Sequence, residues 1–276
     1  MIAATLEQAL FTSVRTGANE GYQISEHSSG IDAATRRELS TWGPSHDSLQ
    51  SDSGQPCSIN LHTLVDGRCC LSLTRAASPE YSGRGANTST WMLLAQADAL
   101  AMFGHHPLRL LDAALTAQWT SLPATAPLSL VGRGRSVNLE AVAQASSLFG
   151  PATIAAMVDA ALSKTALGIV ISGRTRLLID TLLSLIPLDL RGAVSFSTGL
   201  IPSLQRRFQI QCLLPHAELQ QQFVRTAGGM IVDPTSAGTQ PKTEQGRDLA
   251  RLLEQQRWCE VRRRIVSPIS QLAAAC

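Results

Sequence analysis

The chain reads as an α+β protein: a β-rich N-terminal module packed with helices, residues 1–130, followed by a mixed α/β module, residues 131–276. Three observations predict this. Up to about residue 95 the apolar residues fall in short runs with β-branched and aromatic neighbours, broken by turn-forming Gly, Asn and Asp. Beyond residue 136, helical stripes alternate with short apolar runs such as LGIVIS. Between them the segment TSLPATAPLSLVGRGRS, residues 120–136, is rich in Pro, Gly and small residues and marks a tight linker.

The composition fits a packed globular chain. Its 276 residues suffice for two domains of ordinary size. With 44% hydrophobic but only 4% aromatic residues, Ala, Leu, Val and Ile must carry the core. The 23 basic and 21 acidic residues leave a net charge of +2, too little to attract nucleic acid or a membrane by bulk electrostatics. No apolar run approaches the roughly 18–20 residues that span a bilayer, and the N-terminus carries Glu7 without a basic leader, so cytoplasmic residence is the default expectation. The six cysteines are too scattered for a disulfide scaffold and read as reduced thiols.

In chain order, EQALFTSV (7–14) and GYQISEHS (21–28) predict a hairpin around TGANEG. Asp32 is placed to cap a short helix over AATRRELSTW, stopped by Gly43 and Pro44, and the polar tract 45–56 is a loop. The run CSINLHTLVDGRCCLSLT (57–74) predicts a second hairpin whose register can be argued. A two-residue loop at Asp66 and Gly67 would put the two apolar sets on opposite faces. A three-residue loop over 65–67, with Gly67 left-handed, pairs Ile59 with Leu73, Leu61 with Leu71 and Thr63 with Cys69. The second register is preferred because it gives one apolar stripe and leaves Asn60, His62, Cys70 and Ser72 on the other face. STWMLLA (89–95) reads as a buried strand, followed by helices over AQADALAMF and PLRLLDAALTAQW, with Pro107 at a first helical position.

The second module opens with two helices joined at Gly150 and Pro151. Strand LGIVIS, helix TRLLIDTLLSLI with Pro187 as its stop, strands AVSFST and RFQIQCLL, helix AELQQQFVR and a brief strand MIVD follow. A long polar helix is expected from about Glu244 to Ile265.

Candidate chemistry is sparse. Gly83, Arg84 and Gly85 could form a small anion nest with a guanidinium beside it, but the third Gly of a dinucleotide loop is missing and a strand follows. Gly173, Arg174 and Thr175 sit at a βα turn without the spacing or Lys of a P-loop. The chosen register makes His62 and Cys70 cross-strand neighbours, the elements of a thiol nucleophile, although no oxyanion hole accompanies them and a helix packed over that face would make both interior residues. Cys69 and Cys70 point to opposite faces of one strand, His105 and His106 lack a second ligand pair, and no metal or other cofactor is expected. Basic clusters at Arg206 and Arg207, and over 262–264, read as solvated surface or as contacts for an acidic or nucleic-acid partner.

GYQISEHSSGID, the WGPSHDSL after it and then EYSGRGANTSTWMLL resemble, in that order, the type-two N-terminal module of the bacterial GTPase-associated protein family, over roughly residues 5–130. The family's SGRGG reads SGRGA here, with Ala86 in place of a glycine. Further on, TRLLIDTLLSLIPLDLR and VSFSTGLIPSLQRRFQI resemble the middle module of the same proteins, with the family's RRPF step shortened to RRF. The resemblance implies a non-enzymatic adaptor or scaffold in a bacterial conflict or signalling system whose GTPase is a separate protein. The expected partner- or anion-binding residues are Tyr81, Gly83, Arg84 and Gly85 in the loop and the arginines Arg206 and Arg207 downstream. The competing readings are a thiol enzyme at His62 and Cys70 and an anion or nucleotide sensor at Arg84.

Overall fold

The computed structural model describes residues 3–16, 19–51, 56–79, 86–132, 136–236 and 238–266. Strands β1 (Ala3–Thr16) and β2 (Asn19–His27) form the first hairpin, with a register shift between Leu10 and Phe11. Helix α1 (Ala33–Trp42) begins where the Asp32 carboxylate accepts the Thr35 amide at 2.8 Å, and ends at Gly43. Strands β3 (Cys57–Thr63) and β4 (Cys69–Pro79) pair Ile59 with Leu73, Leu61 with Leu71 and Thr63 with Cys69, the register the apolar stripe demanded. The Leu64 amide donates to the Arg68 carbonyl and closes the loop over 65–67, in which Gly67 has φ +86°, a backbone state that costs an ordinary side chain about 1–2 kcal/mol.

Strand β5 (Ala86–Ala95) joins β4 to β1. It leads into α2 (Ala97–Ala101), α3 (Pro107–Thr116), a 3-10 turn at Trp119–Ser121 and β6 (Leu128–Val131), which pairs with the first residues of β1. Then come α4 (Leu139–Phe149), α5 (Pro151–Leu162), β7 (Leu167–Val170), α6 (Thr175–Leu185) and a 3-10 segment at Leu188–Ala193. The remaining elements are β8 (Phe196–Ser197), β9 (Ile210–Leu213), α7 (Ala217–Ala227), β10 (Met230–Val232), α8 (Glu244–Glu254) and α9 (Trp258–Val266).

Nine strands lie in the order β10-β7-β9-β8-β3-β4-β5-β1-β2, with β6 added against β1. The N-terminal strands are antiparallel, whereas β8, β9, β7 and β10 are parallel to one another; the β8–β9 crossover is the irregular segment over 198–209, and α7 lies between β9 and β10. The join is β8, which runs antiparallel to β3. The sheet therefore continues across residue 130, and so does its main apolar cluster, which includes Leu61, Leu71 and Leu93 together with Val142, Ile154, Leu182 and Ile210. Under the opposite face a smaller cluster places Phe11, Leu39, Leu64, Cys70, Met92 and Leu94 beneath α1.

Three expectations change. Within the expected linker over 120–136, Leu128–Val131 forms strand β6 paired to β1. The strand over AVSFST shrinks to two paired residues, because Ala193 closes a 3-10 turn and Gly199 presses its backbone against β3. A Cβ on Gly199 would sit 2.6 Å from the Cys57 carbonyl, so the close approach requires glycine. The long C-terminal helix is two, broken at Gln256 with φ +54°. The bend lets Leu249 and Leu253 of α8 and Val261 and Ile265 of α9 enter the same core.

Candidate functional site

The segments that carry the family-like motifs converge on one polar seam, built on the sheet face away from the main core. Its floor follows from the alternation of β3, β4 and β5, which puts Ser58, Asn60, Ser72, Thr74 and Thr90 on that face, all buried. Ser58 Oγ donates to Asn60 Oδ1 at 2.7 Å, the Asn60 amide reaches Ser72 Oγ at 3.2 Å, and the Thr74 and Thr90 hydroxyls lie 3.0 Å apart. Ser197 of β8 extends the ladder, its Oγ 3.3 Å from that of Ser58.

Two segments cover this floor. The first leaves α1 through Trp42, Gly43 and Pro44 to Gln50; the second runs from Thr198 to Phe208. They are tied by backbone: the Ile201 amide donates to the Ser48 carbonyl and the Gln50 amide to Gly199, each at 2.8 Å. Gln50 completes the tie with its side chain. Its Nε2 donates to the Leu200 and Cys212 carbonyls at 2.8 and 2.9 Å, and its Oε1 accepts the Leu214 amide at 2.8 Å. The Trp42 ring stacks on His62, centroids 4.0 Å apart, and meets Phe208 at 5.4 Å. Tyr22 of the GYQ strand closes the far end. Its hydroxyl accepts the Thr88 amide at 3.0 Å and donates to Asn87 Oδ1 at 3.3 Å, while its ring stacks on Phe11 at 5.8 Å. Thr88 Oγ1 in turn donates to the Pro44 carbonyl at 3.0 Å.

The basic pair divides. Arg206 is only 8% exposed and turns inward, donating to the Gly43 carbonyl at 3.4 Å and to Ser48 Oγ at 3.5 Å. Burial pushes its pKa down. Its expected role as an exposed contact does not fit this position; it braces the covering segments from inside. Arg207 is exposed, beside Leu204, which is 62% exposed. Tyr81, Gly83, Arg84 and Gly85 lie outside the described residues. The strand ends that carry their loop are placed, with Pro79 paired to Ala86 next to the Tyr22 and Thr88 contacts.

His62 and Cys70 are direct cross-strand neighbours, as the register predicts, and α1 packs over them. Burial holds the His62 imidazole neutral, its pKa lowered to about 3, and pushes the Cys70 thiol far up, also helped by the nearby Cys69 and Glu38. A nucleophilic pair needs the reverse, a thiolate beside an imidazolium. Among the described residues both His62 ring nitrogens lack a hydrogen-bond partner, and the ring stacks on Trp42.

Cys69 faces the main core and Cys70 the opposite cluster. Among the described residues no group of three or more His, Cys, Asp or Glu could hold a metal ion. Gly173 and Arg174 form the expected turn before α6, both left-handed at φ +69° and +50°. His106 is buried with Nε2 3.0 Å from Asp180 Oδ1. Burial pushes Asp180 up, but His106 and the Asn138 amide outweigh it and hold the carboxyl below its usual range. Near it the fully buried Arg191 donates to the carbonyls of Ile186 at 2.9 Å and Ser184 at 3.0 Å, and also to Ser136. Charge alone gave no sign of this role in the sequence; the signal was the helix end at Pro187, which leaves such carbonyls without intrahelical partners.

The fold and the seam define an α+β protein in which distant chain segments with family-like motifs assemble into one structural unit. Its N-terminal part, residues 5–130, matches the family described as GTPase-associated protein 1, N-terminal domain type 2. The match covers the GYQ strand, the WGPSH turn and the SGRGA loop; the likeness to a middle module lies beyond it. No curated protein and no solved structure matches the chain. Among the described residues no single helix is long and apolar enough to cross a membrane.

Proposed function

We propose that the chain is a non-enzymatic adaptor that binds a separate GTPase within a bacterial multi-protein signalling or conflict system. The observation that carries this reading is the match of residues 5–130 to a domain named for its association with a GTPase. The seam supports it. Its polar groups largely pair with one another, as in a scaffold, and its two covering segments brace a corner at residues 203–207 that displays Leu204, Gln205 and Arg207. Pro202, Arg206 and Phe208 are buried and anchor that corner from either side. We assign the partner contact to that corner and, from the sequence, to Tyr81, Gly83, Arg84 and Gly85.

The test is co-expression of the chain with GTPases encoded beside it, followed by affinity purification and by assays of the purified chain on nucleotides and esters. The reading expects one GTPase to co-purify in a stable ratio and the chain by itself to leave the substrates unhydrolysed. If no co-encoded GTPase is retained, or if the chain turns over a nucleotide, the adaptor reading fails.

A further inference from the structure

Outside the seam, a cleft of about 430 Å³ opens where the C-terminal end of α5 meets the start of β8 and the approach to β9. Its size falls within the roughly 300–1,000 Å³ typical of small-molecule sites. The floor is apolar, with Leu162, Leu190 and Val194 among its residues. Two cations line it, Lys164 and Arg207, which are exposed and reach the cleft from opposite sides in sequence. Neither makes an ion pair or a side-chain hydrogen bond with any described residue, and among the described residues no acidic side chain lines the cleft.

Helix dipoles do not account for these charges. A cation near a helix C-terminus often serves the free carbonyls there. Here two carbonyls near the end of α5 are already taken: Ala160 by the Thr165 amide and Ala161 by the Lys164 amide, both at 3.1 Å, and Ala161 again by the Gln209 side chain. The positive charge is therefore unspent. A hydroxyl adds a directional group, because Ser195 Oγ accepts the Gln209 amide at 2.9 Å, leaving its own hydrogen to be donated.

We propose that this cleft binds a small carboxylate with an apolar tail, its anionic head between Lys164 and Arg207 and its tail on the Leu162, Leu190 and Val194 floor. Charge complementarity selects the head, since an amine or a neutral tail would leave both cations unmatched. The ligand site shares Arg207 with the corner that displays Leu204, whereas Lys164 and the Leu162, Leu190 and Val194 floor take no part in that corner, so octanoate titration of the chain alone tests the site separately from the GTPase reading.

Calorimetric titration of the full chain with octanoate, octylamine and octanol tests this. Octanoate should bind saturably and at least about tenfold more tightly than either control. The double change Lys164→Gln with Arg207→Gln, both at exposed positions, should weaken octanoate at least about tenfold while leaving the weak binding of octanol unchanged. Ala193→Phe, a substitution at an exposed position in the lining, should fill the cleft and abolish binding. The proposal is overturned if octanoate fails to bind, if the three compounds bind alike, or if the charge variants retain full affinity.

Discussion

His62 shows how a single residue couples the seam to stability. At 3% exposure, with neither ring nitrogen partnered, it is tolerated because a neutral imidazole stacked on Trp42 behaves as an aromatic surface. Its pKa is about 3 when folded against an ordinary value of 6.5, so between these values the unfolded chain binds a proton that the folded chain refuses. The contribution is fully present above pH 6.5 and is lost as pH falls toward 3, at up to about 1.4 kcal/mol per pH unit. His62→Phe keeps the stacking and removes the titration. Urea unfolding at pH 6.5 and 4.5 should show the wild-type chain losing stability and the variant losing markedly less. An equally steep loss in the variant would assign the acid lability elsewhere.

At the scale of elements, the segment from Gly43 to Gln50 ties the covering segments to the sheet, and Gln50 is its pin. Removing that side chain in Gln50→Ala takes the acceptor from the Leu214 amide and a donor from the Cys212 carbonyl, while the Leu200 carbonyl keeps the Gln211 side-chain amide, at about 1–3 kcal/mol for each buried group left unpaired. The expected outcome is a loss of about 2–4 kcal/mol in urea unfolding, with faster hydrogen exchange over residues 198–208 than over β4. Uniform exchange across the sheet would contradict the pinning role.

These elements also mark what was legible beforehand. The β3–β4 register was readable because a slip of one residue would have split its apolar stripe, and the Asp32 cap because its chemistry is local. Gln50 looked like any residue of a polar loop, since its partners stand 150 to 164 positions away. Arg206 and Arg207 are alike in sequence, and only the non-local pairing of Ser48 with Ile201 turns one inward and leaves the other outside. The break at Gln256 escaped for the same reason, because the residue has no special turn chemistry and bends to follow a core assembled by other helices.

At the scale of the whole molecule, one mixed sheet carries the matched domain and the remainder of the chain on a shared core. A partner that grips the corner at Leu204 and Arg207 would therefore touch a surface braced from both parts, since that corner is tied to the WGPSH turn through Arg206 and Ser48. The most direct measurement of the adaptor reading is a calorimetric titration of the co-encoded GTPase into the wild-type chain and into Leu204→Asp with Arg207→Glu. The account predicts saturable binding to the wild type, at least about tenfold weaker binding to the variant, and the same circular dichroism for both. Absence of binding to the folded wild type, or equal affinity for the two chains, would contradict it.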